Sequence, residues 1–96
     1  MSNALLFNCD PINGIDMAIV ELDKPIVSPD TKISLKNVIE KSHFLTPDLE
    51  DNLIPAMSVW KIDSVVVTGP GVYIAEIAQK ISAEYPNVNV IRKERN

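Results

Sequence analysis

Residues 62–71 of this chain, Ile-Asp-Ser-Val-Val-Val-Thr-Gly-Pro-Gly, join a buried strand to a helix through a tight turn. Val65–Val67 shows no polar alternation, which is typical of a central strand covered on both faces. A final strand is predicted over 88–92. Between the two strands, apolar residues recur at helical spacing: Ile74, Ile77, Ala78, Ile81 and Tyr85. The sequence therefore predicts a βαβ unit, whose strands are parallel.

The first part of the chain predicts a hairpin. Ala4–Phe7 is a short apolar run, which we expect to form an outer strand. Asn8–Gly14 combines Asx residues, a proline and an Asn-Gly pair, a composition typical of turns. Ile15–Leu22 then predicts a second strand that is apolar on both faces for much of its length.

The region between 23 and 55 is the least regular. Residues 23–34 predict an irregular connector, and Ser34 is expected to cap a short helix that includes Val38 and Ile39. Thr46-Pro47-Asp48 has the residue types of a second helix start, and that helix should end before Pro55. Residues 57–67 are then expected to form one long or bent strand.

Length and composition limit the class of protein. Ninety-six residues, 46% of them hydrophobic, predict a single α+β domain over residues 1–96. A net charge of −4 is atypical of a non-specific nucleic-acid binder. The single cysteine cannot form an intrachain disulfide, which favours a cytoplasmic location, and no apolar run is long enough to span a membrane. Small size and few aromatic residues favour a homodimer.

The turn at 68–71 is the candidate binding site. Its glycines permit positive φ angles and close approach of a ligand, and backbone N–H groups at a helix amino terminus attract anions. Two alternatives follow for this turn: a plain strand-to-helix turn with no ligand, and a contact with an anion or a nucleotide. The predicted ligand-binding residues are Thr68, Gly69, Gly71 and Tyr73, with Arg92 or Lys93 supplying positive charge.

Other reactive side chains give weaker signals. The only histidine, His43, is predicted at an exposed helix end without a catalytic partner, and the nearby acids Asp48, Glu50 and Asp51 lie on a different predicted element. Cys9 is predicted in a polar turn as an unreactive thiol. Trp60 is expected to anchor a core or a dimer interface, with stacking on a nucleic-acid base as the alternative. We predict no catalytic residue, no metal site and no cofactor.

Two short motifs resemble the small CRISPR-associated ring nucleases of type III systems. Val66–Gly71, Val-Val-Thr-Gly-Pro-Gly, precedes an amphipathic helix and a last strand, where that family has Ser-Gly-Arg-Gly-Pro. Ile19–Ile26, Ile-Val-Glu-Leu-Asp-Lys-Pro-Ile, is similar to the family's second strand and its Lys/Arg-Pro-Ile ending. The resemblance implies a ferredoxin-like sandwich with a mostly antiparallel sheet and one C-terminal βαβ unit, assembled as a dimer.

The same resemblance implies a ligand, namely a cyclic oligoadenylate or an RNA end. It does not extend to metal-dependent cleavage, because Pro70 replaces the family's arginine and the family's metal-binding histidine falls near Glu84 or Tyr85. The family's aspartate falls near Lys93. If the chain is an enzyme, the resemblance implies a phosphodiesterase of the ring-nuclease kind.

Two functions therefore stay open at this point. The first is a binding protein for a phosphate-bearing ligand in CRISPR-type defence, which the turn and the resemblance favour. The second is a protein-interaction module, an accessory or inhibitor subunit, that uses residues 35–60; the net acidity favours it.

Overall fold

Five strands of one mixed sheet and two helices form the part of the protein that the computed structural model describes, residues 2–10, 12–28, 30, 37–44 and 54–94. The strands are β1 (Ser2–Asp10), β2 (Gly14–Leu22), β3 (Val38–Phe44), β4 (Ser64–Gly69) and β5 (Asn89–Glu94). The helices are α1 (Ile54–Trp60) and α2 (Gly71–Glu84). Within these ranges, neither helix has the length and apolar character needed to cross a membrane.

The strand order is β3-β2-β1-β4-β5. β2 pairs antiparallel with both β1 and β3, which confirms the predicted hairpin. β4 pairs parallel with both β1 and β5, which confirms the C-terminal βαβ unit formed by β4, α2 and β5. The sheet is therefore equally parallel and antiparallel, and the expectation of a mostly antiparallel sheet was wrong. The α+β class is confirmed.

β1 differs most from its prediction. It is the central strand rather than an outer one, and it extends through Asn8 and Cys9, which the turn signals had placed in a loop. The two flanking strands pair with this stretch, and sheet pairing prevails over local turn propensity. The turn itself is short, and the Asp10 carboxylate closes it by accepting the backbone N–H groups of Ile12 and Asn13 at 2.8 and 3.2 Å.

The region after residue 37 also departs from the prediction. Val38 and Ile39 belong to edge strand β3 rather than to a helix, since both are β-branched and pair with β2. Ser34 and the helix predicted from Thr46 lie outside the described residues. α1 occupies part of the stretch expected to be a long strand, and it accommodates Pro55 in its first turn, where no intrahelical N–H bond is needed.

The core lies on both faces of the sheet. α2 buries the predicted stripe of Ile74, Ile77, Ala78 and Ile81. With α1, it covers one face in a cluster that includes Leu5, Phe7, Cys9, Ile15, Met17, Ile19, Met57, Val65 and Val67. We call the opposite face the distal face. Its buried cluster is smaller and comprises Ala4, Val20, Ile26, Val66 and Ile91.

Hydrogen bonds attach the loop after β2 and the end of α1 to the sheet. Asn89 Nδ2 donates to the Ile26 carbonyl at 2.8 Å and holds the loop after β2 against the distal face. At the end of α1, the Trp60 carbonyl accepts from Asn3 Nδ2 at 2.6 Å. Trp60 Nε1 donates to Glu40 on β3 at 3.1 Å, and the ring packs against the core. Trp60 is therefore partly buried against the core, which is one of the roles predicted for it.

Candidate ligand-binding site

The turn between β4 and α2 is built around Gly69. Its φ is +152°, and a Cβ placed on it would lie 2.8 Å from the carbonyl oxygen of Cys9. Cys9 is buried in β1, so its predicted position in a polar turn was wrong. The need for glycine at 69 therefore follows from close packing of the turn against β1, without any ligand.

An acidic side chain lies at the amino terminus of α2. The Glu94 carboxylate is 3.3–3.4 Å from the position that a Cβ on Gly71 would occupy, and Arg92 donates to that carboxylate at 3.2 Å. The N–H of Tyr73 is already bonded to the Pro70 carbonyl at 3.0 Å. A phosphate bound at this terminus would approach a like charge, which opposes binding.

The predicted site residues divide between the two faces of the sheet. Thr68 and Lys93 are directly opposite each other in the β4–β5 register, so both side chains belong to the distal face. Arg92 alternates with Lys93 and lies on the other face, in a shallow groove beside Ala75 and Ala78 of α2. Of the two basic residues considered from sequence, Lys93 is therefore the one that accompanies Thr68.

Thr68 and Lys93 belong to a row of polar residues that crosses all five strands on the distal face. The register places His43 opposite Asp16, Asp16 opposite Asn8, Asn8 opposite Thr68 and Thr68 opposite Lys93. We call these five residues the polar row. Three of them lie near the carboxyl ends of the parallel strands β1, β4 and β5, the end at which open sheets bind ligands.

His43 and Asp16 form a pair at one end of the polar row. Nδ1 of His43 lies 2.6 Å from Oδ1 of Asp16, and both side chains are about half or more exposed. His43 is exposed as predicted, but it lies on strand β3 beside β2 and not at a helix end. A carboxylate on one ring nitrogen fixes the orientation of the imidazole and leaves Nε2 as the other polar atom.

Asn8 occupies the middle of the polar row. Its side-chain oxygen Oδ1 is buried, and it has no hydrogen-bond partner in the described part of the chain. Beside it, a groove of about 380 Å³ opens on the distal face. The groove is lined by Leu6, Asn8, Asp16, Met17, Ala18, Lys41 and Ser42. A mainly apolar groove with one unpaired polar atom is a suitable place for a small ligand.

Asn8, Asp16 and His43 were missed as site residues. Each has only a weak local signal: Asn8 and Asp16 are single polar residues in or next to apolar runs, and His43 ends a polar stretch that begins at Glu40. Their common position on one face depends on the register of three strands, and the β2–β3 register includes an irregularity at Ile19 and Val20. A pairing shifted by one residue would have placed them on different faces.

The fold and the site define this protein as a small α+β protein with a polar row, containing one lysine and one aspartate, on the distal face of a five-stranded mixed sheet. Among residues 2–10, 12–28, 30, 37–44 and 54–94, no group of three histidine, cysteine or acidic side chains could hold a metal ion. The chain matches no protein-family model, and no curated protein matches it significantly.

Proposed function

We propose that this protein binds a phosphate-bearing ligand, a cyclic oligoadenylate or an RNA end, on the polar row of the distal face. The observation that supports the proposal is the pairing of Thr68 with Lys93 near the carboxyl ends of two parallel strands. A hydroxyl and an ammonium group side by side can bind a phosphate through a neutral and a charge-assisted hydrogen bond.

Local charge supports this location over the amino terminus of α2. Lys93 is exposed, and Lys41 contributes a second ammonium group at the groove. The amino terminus of α2, in contrast, has the Glu94 carboxylate beside it. The protein's net charge of −4 therefore does not describe the polar row and the groove beside it, where Lys41 and Lys93 accompany one acidic residue, Asp16.

The relation to the ring nucleases, and with it the defence context and the cytoplasmic location, is part of the proposal. A ferredoxin-like domain runs β-α-β-β-α-β, whereas the described elements here run β-β-β-α-β-α-β. The relation would therefore rest on the unit of β4, α2 and β5. We propose binding without metal-dependent cleavage, because Glu84, Tyr85 and Lys93 stand where the family has its metal ligands.

Lys93→Gln should weaken binding of cyclic oligoadenylates about tenfold or more, because a charge-assisted hydrogen bond contributes about 1.5–3 kcal/mol. The loss should shrink as salt is raised, since salt screens an exposed charge. The measurement is a calorimetric titration with cyclic oligoadenylates and short RNAs, with and without manganese.

Arg92→Gln is the matched control for this titration, because Arg92 is the neighbouring cation on the opposite face. It should leave the affinity unchanged. An equal loss in both variants would place the ligand at the strand end as a whole rather than on the distal face. Turnover of the ligand with manganese would contradict binding without cleavage and would indicate a phosphodiesterase.

A protein-interaction module that uses residues 35–60 is the second candidate function. Two exposed apolar side chains of this region favour it: Val59 on α1 is 73% exposed, and Ile39 on edge strand β3 is 40% exposed. Edge strands with apolar neighbours are common sites of association between chains. Failure of every nucleotide to bind, together with an association that Val59→Asp abolishes, would favour this function.

We also propose a homodimer, because a chain of 96 residues gains stability by sharing exposed apolar surface. Light scattering at micromolar concentration should give twice the mass of one chain. Val59→Asp should return the mass to that of a monomer if this surface forms the interface, whereas Val72→Asp, at a valine on α2 that is also largely exposed, should not. A monomeric wild-type protein would contradict the proposal.

A further inference from the structure

We propose that Asn8 is a specificity-determining residue of the distal face, whose side-chain oxygen accepts a hydrogen bond from an N–H or O–H group of the ligand. The inference rests on the proposed ligand site and goes beyond it. Phosphate recognition by Thr68 and Lys93 would not distinguish one nucleotide from another, whereas an acceptor aimed at a base or a ribose would.

The burial of Asn8 Oδ1 without a partner is the main evidence. Buried polar atoms in folded proteins are nearly always hydrogen-bonded, and an exception requires an explanation. Oδ1 has no partner among the described residues, although Asn8 lies on the central strand with a paired strand on either side. An unpaired buried acceptor destabilises the free protein, and a ligand donor would remove that penalty.

The neighbours of Asn8 within the polar row explain why the protein itself leaves the oxygen unpaired. On one side, the Asp16 carboxylate offers acceptors only and is bonded to His43. On the other side, Thr68 makes no hydrogen bond to Oδ1. Lys41 and Ser42 line the same groove but make no hydrogen bond to Oδ1. The donor is therefore expected from outside the described residues.

The groove beside Asn8 indicates what kind of group would supply the donor. Leu6 and Ala18 give it an apolar wall, which suits a flat ring. A carboxamide presents an acceptor and a donor side by side, the combination that pairs with the amino edge of adenine. Asn8 is two strand spacings from Lys93, about 10 Å, so one nucleotide can place its base at Asn8 and its phosphate at Lys93.

The decisive variant is Asn8→Val, tested with adenosine 5′-monophosphate as the smallest probe that has base, ribose and phosphate. Valine removes the unpaired oxygen and suits a central strand. We expect its melting temperature to rise by a few degrees while its affinity for the probe falls about tenfold or more. A purely structural asparagine would give the opposite result, a lower melting temperature with unchanged binding by the folded protein.

Two altered probes test the wild-type protein itself and identify the donor. Purine riboside 5′-monophosphate lacks the amino group of the base, and 2′-deoxyadenosine 5′-monophosphate lacks one ribose hydroxyl. One of the two altered probes should bind the wild type about tenfold more weakly than adenosine 5′-monophosphate does. The same altered probe and adenosine 5′-monophosphate should bind Asn8→Val with equal affinity. Equal binding of all three probes to the wild type would overturn the inference.

Lys93→Gln separates this inference from the proposed function. If Lys93→Gln weakens binding of the probe and Asn8→Val does not, the phosphate site stands and the role of Asn8 is wrong. If the wild type binds none of the probes at millimolar concentration, the proposed function fails and the inference fails with it.

Discussion

Gly69→Ala is expected to lower the free energy of unfolding by roughly 2–6 kcal/mol, a large part of the roughly 5–15 kcal/mol that stabilises a native domain. Two separate effects add. A φ of +152° is strained for any residue with a Cβ, at about 1–3 kcal/mol. The new methyl group would also lie 2.8 Å from the Cys9 carbonyl oxygen and 2.9 Å from the Cys9 Cβ, and overpacking costs about 1–3 kcal/mol more.

Gly71→Ala is the matched control, two residues away in the same turn. A Cβ at 71 would meet the end of the Glu94 side chain at 3.3–3.4 Å, and an exposed carboxylate on a flexible chain can move aside. Alanine also favours the helix that begins here, by up to about 1 kcal/mol. Urea denaturation followed by circular dichroism should therefore show a change within about 1 kcal/mol. Similar losses in the two variants would mean that packing against β1 does not explain Gly69.

Ile77→Ala is expected to cost about 2–5 kcal/mol, because it removes buried methyl groups and leaves a cavity between α2 and the sheet. Ile77 is 5% exposed and belongs to the cluster that contains Val65 and Val67. The loss would be seen as a melting temperature lowered by several degrees or more.

Val72→Ala controls for this second prediction on the same helix. Val72 is 84% exposed, so its truncation should change stability by no more than about 0.5 kcal/mol. A melting temperature that is unchanged in Ile77→Ala, or lowered equally in both variants, would contradict the packing of α2 on the sheet.

These two predictions bear on the candidate site as well as on the fold. Gly69 directly follows Thr68, and α2 supports the strands that present Thr68 and Lys93 on the distal face. A milder variant at either position that keeps the fold but loosens the sheet should therefore weaken ligand binding without altering any residue of the polar row.

The sequence by itself determined the C-terminal half of the architecture. The uninterrupted Val65–Val67 run, the glycine turn and the stripe that includes Ile74 and Ile81 predict β4, α2 and their packing. These signals are local, because the hydrophobic periodicity of a strand or a helix can be recognised within a short stretch of consecutive residues. The β2 strand was predictable for the same reason.

The tertiary structure decided the rest of the fold. Asn8 and Cys9 have turn-forming neighbours, yet both are in the central strand because β2 and β4 pair with β1 on either side. Val38 lies in a strand rather than a helix because β2 provides an edge to pair with. Local propensities are worth fractions of a kcal/mol per residue, and pairing over a whole strand exceeds them.

The candidate site shows the same division. Thr68 and Lys93 could be predicted from the sequence, because they lie near the carboxyl ends of the two strands of the βαβ unit. Asn8, Asp16 and His43 join them only through the registers of β1, β2 and β3, which bring residues from distant parts of the chain to one level of the sheet. Since side chains alternate between faces, a shift of one residue in any of these pairings would have placed members of the polar row on opposite faces of the sheet.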